Sequence, residues 1–177
     1  MAPSPAETLE NLLADAENRN GKIMILGLGS ELRGADAVGT FIAGDLEGLS
    51  PRMVSLPAGI HIENAMYAVK RERPDLLILI DATSCTDLEE GQWDFFPVEE
   101  LDTLCHTTHS IPLRLIAEYW RGELPALEIR FIGIKVDAAL MLADLPPAVE
   151  AARRDIAALF RRHAGGQAPE TPGTIPD

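Results

Sequence analysis

Apolar residues recur at helical spacing in Leu9, Leu12, Leu13 and Ala16. They follow a Ser4-Pro5-Ala6-Glu7 start in which serine can cap, proline suits the first turn and glutamate can close a capping box. Residues 4–18 therefore predict an amphipathic helix. The pattern then changes to KIMILGLG, residues 22–29, apolar on both faces and ending in glycines, as a central parallel strand requires. Further along, residues 36–46 predict a helix, 52–56 a short strand and 61–72 a helix stopped by Pro74. DLLILIDA at 75–82 is the clearest strand, and GQWDFFPV at 91–98, flanked by polar residues, predicts an edge strand. A helix over 110–121, a strand over 126–136 and a helix from Pro146-Pro147 to about His163 complete the series. Residues 1–164 thus form one expected domain, and the Gly- and Pro-rich segment 165–177 is expected to be disordered.

Strands alternating with helices predict a doubly wound α/β sheet with helices on both faces. Ligands of such sheets bind beyond the carboxyl ends of the strands, near the point where the winding reverses. The loops that deserve inspection therefore follow Gly27, Leu56, Ile80 and Val136.

Composition narrows the partners. A chain of 177 residues with 15 Lys and Arg against 28 Asp and Glu has a formal charge of −13, which excludes a basic footprint for nucleic acid or anionic membrane. Small molecules, cations and basic protein surfaces stay open. Two cysteines, Cys85 and Cys105, imply no disulfide framework. The first twenty residues are acidic and lack an apolar core, and no apolar run reaches membrane-spanning length; a cytoplasmic protein is expected.

The first loop reads Gly27-Leu28-Gly29-Ser30-Glu31-Leu32-Arg33-Gly34-Ala35-Asp36. As a dinucleotide fingerprint it fails, because Leu32 stands at the third glycine position and Glu31 and Asp36 oppose a pyrophosphate. No nucleotide cofactor is expected. Asp36 is open to two readings, a helix cap or a ligand. Asp81, closing the LLILI strand, could equally form an Asx-type turn with Thr83 or Ser84. His109 lies in Cys105-His106-Thr107-Thr108-His109-Ser110 before a helix. Taken together, Asp36, Asp81 and His109 come from three loops expected at one sheet edge. They form an oxygen and nitrogen donor set suited to nickel, zinc or manganese. Three ligands leave coordination positions open, as a working site requires. A zinc site from Cys85, Cys105 and His106 or His109 is the weaker alternative, since no C-x-x-C pair exists. Residues 87–102 hold seven acids and no Lys or Arg, interleaved with Trp93, Phe95 and Phe96. That strip is either a charge-protected edge strand or a docking surface for a basic partner.

Several ordered motifs resemble those of the hydrogenase maturation proteases over roughly residues 22–160. They are the Gly29…Gly34-Ala35-Asp36-Ala37-Val38-Gly39 loop, and Glu63-Asn64 leading through Arg73-Pro74 to Leu77-Ile78-Leu79-Ile80-Asp81-Ala82-Thr83. Thr107-Thr108-His109-Ser110-Ile111-Pro112-Leu113 and Phe131-Ile132-Gly133-Ile134, with Asp137 beyond, complete the set. The resemblance implies a three-layer α/β sandwich around a five-stranded, mostly parallel sheet. It also implies an endopeptidase that removes the C-terminal extension of a nickel–iron hydrogenase large-subunit precursor. The family's metal-contacting residues fall on Asp36, Asp81 and His109, to which catalytic roles are assigned as well. The nickel they contact is supplied by the substrate, or replaced by another divalent metal, so no resident metal is needed. In such a reaction the metal polarises the carbonyl or acidifies a water while a carboxylate takes a proton. Ser30 stands where the family usually has asparagine, and Ala35-Asp36-Ala37 where it usually has two acids and a glycine. The thinner polar surroundings of Asp36 also permit a non-cleaving relative that checks or holds the nickel-loaded subunit.

Overall fold

The computed structural model describes residues 2–84, 87–100, 112–137 and 141–164, excepting the side chains of Asn64 and Glu100. Helix α1 (Pro5–Asn18) starts as its sequence dictates. Ser4 Oγ accepts from the Glu7 N–H at 3.3 Å while the Ser4 N–H donates to Glu7 Oε2 at 2.7 Å. Two otherwise orphaned donors are thereby satisfied. Leu9, Leu13 and Ala16 form its buried stripe.

Five strands follow as β1 (Ile23–Leu28), β2 (Met53–Gly59), β3 (Leu76–Thr83), β4 (Trp93–Phe96) and β5 (Glu128–Lys135). Their order across the sheet is β2-β1-β3-β5-β4, with β4 antiparallel to β5 and every other pair parallel. Every residue of β1 and β3 is buried, which explains their unbroken apolar runs, whereas β2 at one edge is mostly half-buried. β4 is the opposite edge, as the polar flanks of 91–98 predicted.

Because strand side chains alternate, each central strand feeds two cores. Ile25, Ile78 and Ile80 pack with α1, α2 (Val38–Asp45) and α5 (Pro147–Ala164). Met24, Leu26, Leu77 and Leu79 pack with α3 (Ala65–Glu72) and α4 (Leu113–Glu123). The predicted three-layer α/β/α sandwich with a mostly parallel five-stranded sheet is what the chain adopts. Among the described residues, no helix is long and apolar enough to cross a membrane.

Several boundaries differ from expectation. The strand expected over 52–56 runs on to Gly59 through Pro57. A proline is tolerated there because an edge strand can leave one side of its ladder without N–H donors. Both helices expected after the first two strands open as 3₁₀ turns, Gly34–Ala37 and Ile62–Asn64, before α2 and α3 begin. Asp81 does not close β3; the strand continues two residues beyond it to Thr83. The expectations for 165–177 and for the start of the 110–121 helix fall outside the described residues.

Candidate active site

After β1 the chain steps to β2 on one side and later returns to β3 on the other. The winding therefore reverses between β1 and β3, and the crevice beyond their carboxyl ends is the expected ligand position. The first loop is built to fit there. Gly29 has φ 111°, and a Cβ at that residue would lie 1.7 Å from the Asp36 carbonyl oxygen. Only glycine allows the loop to fold back this tightly. Thr40 Oγ1 donates to the Gly29 carbonyl at 2.9 Å and pins the base of the loop to α2.

Asp36 lies in the 3₁₀ turn and is only 8% exposed. Its Oδ2 accepts from the Ser30 N–H at 2.9 Å, across the loop rather than along a helix. The cap of α2 is Ala37, with no side-chain bond, so the helix-cap reading of Asp36 does not hold. Ala35 and Ala37 on either side are buried, so the turn's buried polarity resides in one carboxylate.

Asp81 is 2% exposed and pairs in register with Gly133 of β5, one residue beyond Ile80, where β3 last pairs with β1. Its Oδ1 accepts from the Ala82 N–H at 2.8 Å. The backbone stays extended through Thr83. A Cβ on Gly39 would come within 2.1 Å of the Ile80 carbonyl oxygen and 2.6 Å of that of Leu28. The start of α2 thus rests directly on the carboxyl ends of β3 and β1, and the turn that carries Asp36 packs on β3.

The segments beyond β2 and β5 also reach this region. The Gly29 N–H donates to the Gly59 carbonyl at the end of β2, at 3.1 Å. Beyond β5, the Leu142 N–H donates to the Leu32 carbonyl at 2.9 Å. Between the first loop and the end of β2 lies a cleft of about 280 Å³, lined by Gly29, Ser30, Glu31, Thr40, Gly59 and His61 among others. His61 Nδ1 lies 3.1 Å from Glu63 Oε1. Sequence reasoning missed this histidine, because the pattern absorbed it into the helix expected over 61–72. Its place just after the loop that follows Leu56 was the available signal.

His109 lies outside the described residues, as do Cys85, Cys105 and His106 of the alternative zinc set. Among the described residues, no three His, Cys, Asp or Glu side chains are grouped to hold a metal. Asp36 and Asp81 are hard oxygen donors, each with one oxygen fixed by a backbone N–H. Such carboxylates suit a divalent cation arriving with further ligands of its own.

No family model matches the chain. It is 26% identical over 137 residues to a Methanocaldococcus jannaschii protein described as "Putative hydrogenase maturation protease", covering 72% of this chain and 79% of that one. The fold superposes on a NiFe hydrogenase maturation protease HycI from Thermococcus kodakarensis KOD1 with TM-score 0.77 and 24% identity, over 90% of this chain and 99% of that one. An endopeptidase HycI from Escherichia coli gives TM-score 0.69 and 22% identity, over 81% and 90% of the two chains. At these identities the structures establish a shared fold. The relative in sequence and the neighbours in structure carry the name of the same family that the motifs resemble.

Proposed function

We propose that this chain is an endopeptidase of hydrogenase maturation, which removes the C-terminal extension of a nickel-loaded NiFe hydrogenase large subunit. The observation that carries this reading is the burial of Asp36 and Asp81 at the carboxyl ends of β1 and β3. They lie on a fold shared with proteins named for that activity. In this reading the nickel is part of the substrate, and Asp36, Asp81 and His109 contact it. Docking on the metal places the scissile bond against the first loop. The carboxylates fit the task because their oxygens are hard donors suited to a divalent cation. In this reading the reaction is cytoplasmic, and it needs no nucleotide.

The decisive comparison incubates the protein with nickel-loaded and with nickel-free precursor. Shortening of the loaded form alone is the expected result, and equal cleavage of both forms removes nickel as the signal. The buried Ala35 and Ala37 favour a second reading, a checkpoint that holds the loaded subunit without cutting. That reading requires nickel-dependent association with precursor of unchanged length.

A further inference from the structure

The two buried carboxylates are poorly placed to shuttle protons. Asp36 and Asp81 are 8% and 2% exposed, and each gives one oxygen to a backbone N–H. A group that takes a proton from water and returns it to a leaving amine needs access to both, and a site that can exchange protons near neutrality. Imidazole is the side chain suited to that exchange. His61 and Glu31 are the ionisable residues lining the cleft between the first loop and the end of β2.

The geometry points to His61 as the general base and acid of the hydrolysis, a role that rests on the endopeptidase reading above. Glu63 Oε1, 3.1 Å from Nδ1, is an acceptor only, so the neutral ring carries its hydrogen on Nδ1. Nε2 then holds the lone pair. The carboxylate also orients the ring, as an acid does in other hydrolytic sites. The chain supports the placement. The 3₁₀ turn Ile62–Asn64 starts immediately after His61, and Ile62 is fully buried, so the turn is anchored beneath an exposed imidazole. The Gly29 N–H bond to the Gly59 carbonyl ties the His61 segment to the loop whose Ser30 N–H holds Asp36.

The step balances without another reactant. Nε2 takes a proton from water as the water oxygen bonds to the scissile carbonyl carbon and the carbonyl π pair moves onto its oxygen. Collapse of the tetrahedral species breaks the C–N bond, and the Nε2 proton passes to the departing amine. The carboxylate that sequence reasoning nominated for this transfer is thereby relieved of it.

The test measures kcat and KM for nickel-loaded precursor, together with precursor binding, for the wild type, His61→Gln and Glu63→Gln. His61→Gln is expected to lower kcat about 100-fold with KM and binding unchanged. Glu63→Gln is expected to lower kcat less, about tenfold, by releasing the ring. A wild-type kcat in His61→Gln overturns the assignment. So does a loss expressed wholly in KM, which makes the histidine a docking contact. Wild-type protein that binds the loaded precursor without cutting it overturns the endopeptidase reading, and this role with it.

Discussion

Asp36 and Asp81 stand out because aspartate is rarely enclosed, and both are buried here. The sequence had marked both, yet it could not separate ligand from cap or turn, since those alternatives differ only in where an oxygen points. In the fold, the Ser30 and Ala82 N–H groups each hold one oxygen of these acids. Asp81→Asn keeps an acceptor for the Ala82 N–H and removes the charge. It should leave the circular dichroism spectrum unchanged and lower precursor processing at least about 100-fold; global unfolding would mark Asp81 as structural. Gly39→Ala probes the backbone beneath the site. Its Cβ would meet the Ile80 and Leu28 carbonyls at 2.1 and 2.6 Å, and backbone there cannot swing aside. A loss of about 3 kcal/mol in urea unfolding is expected, typical of overpacking.

At the scale of elements, binary patterning located the strands and helices because apolar periodicity follows directly from which faces are buried. The 3₁₀ turns were not legible. Asp36 and His61 each lie within or beside such a turn, whose spacing blends into the helix behind it. Pro57 likewise reads as a terminator unless its strand is known to be an edge. Contacts between elements are farther still from the local pattern. Arg153 of α5 grips Asp45 at the end of α2 with two bonds of 2.7 and 2.8 Å and lies 5.2 Å from the Phe41 ring centroid. The pairing with Asp45 raises the Arg153 pKa above its ordinary value. Arg153→Ala is expected to cost about 1–2 kcal/mol in chemical denaturation, near the upper end for a partly exposed pair. A change under about 0.3 kcal/mol would show the bridge to be energetically idle.

For the whole molecule, the charge of −13 is unevenly spread, with seven of the acids between residues 87 and 102. Among the described residues of that stretch, which include β4, Asp87, Glu89, Asp94 and Glu99 are exposed. These acids are exposed beside an edge strand, whereas Asp36 and Asp81 are buried. Three glutamates, Glu99 of that stretch among them, are held by hydrogen bonds that favour the ionised form. The Ser4 N–H lowers the Glu7 pKa; bonds from Lys22 and then Arg71 lower that of Glu72; and Arg121 lowers that of Glu99. A carboxyl depressed in the folded state stabilises above its unfolded value and loses that contribution as pH falls through the folded one. Urea midpoints should therefore hold steady from neutrality to about pH 5 and decline as pH drops below the ordinary 4.5 of glutamate. An unfolding midpoint that rises over that acid range would contradict the assignment.

The sequence alone determined the α/β class, the two-faced burial of β1 and β3, the edge position of β4 and the candidacy of two aspartates. Each follows from local periodicity or from a charge set against an apolar run. The tertiary structure decided the strand order, hence the reversal of winding between β1 and β3. It also decided which oxygen of each aspartate is held, and that the end of β2 brings His61 to the first loop. Those outcomes depend on backbone approaches between segments far apart in the chain, as at Gly29 against Gly59, and no local pattern encodes them.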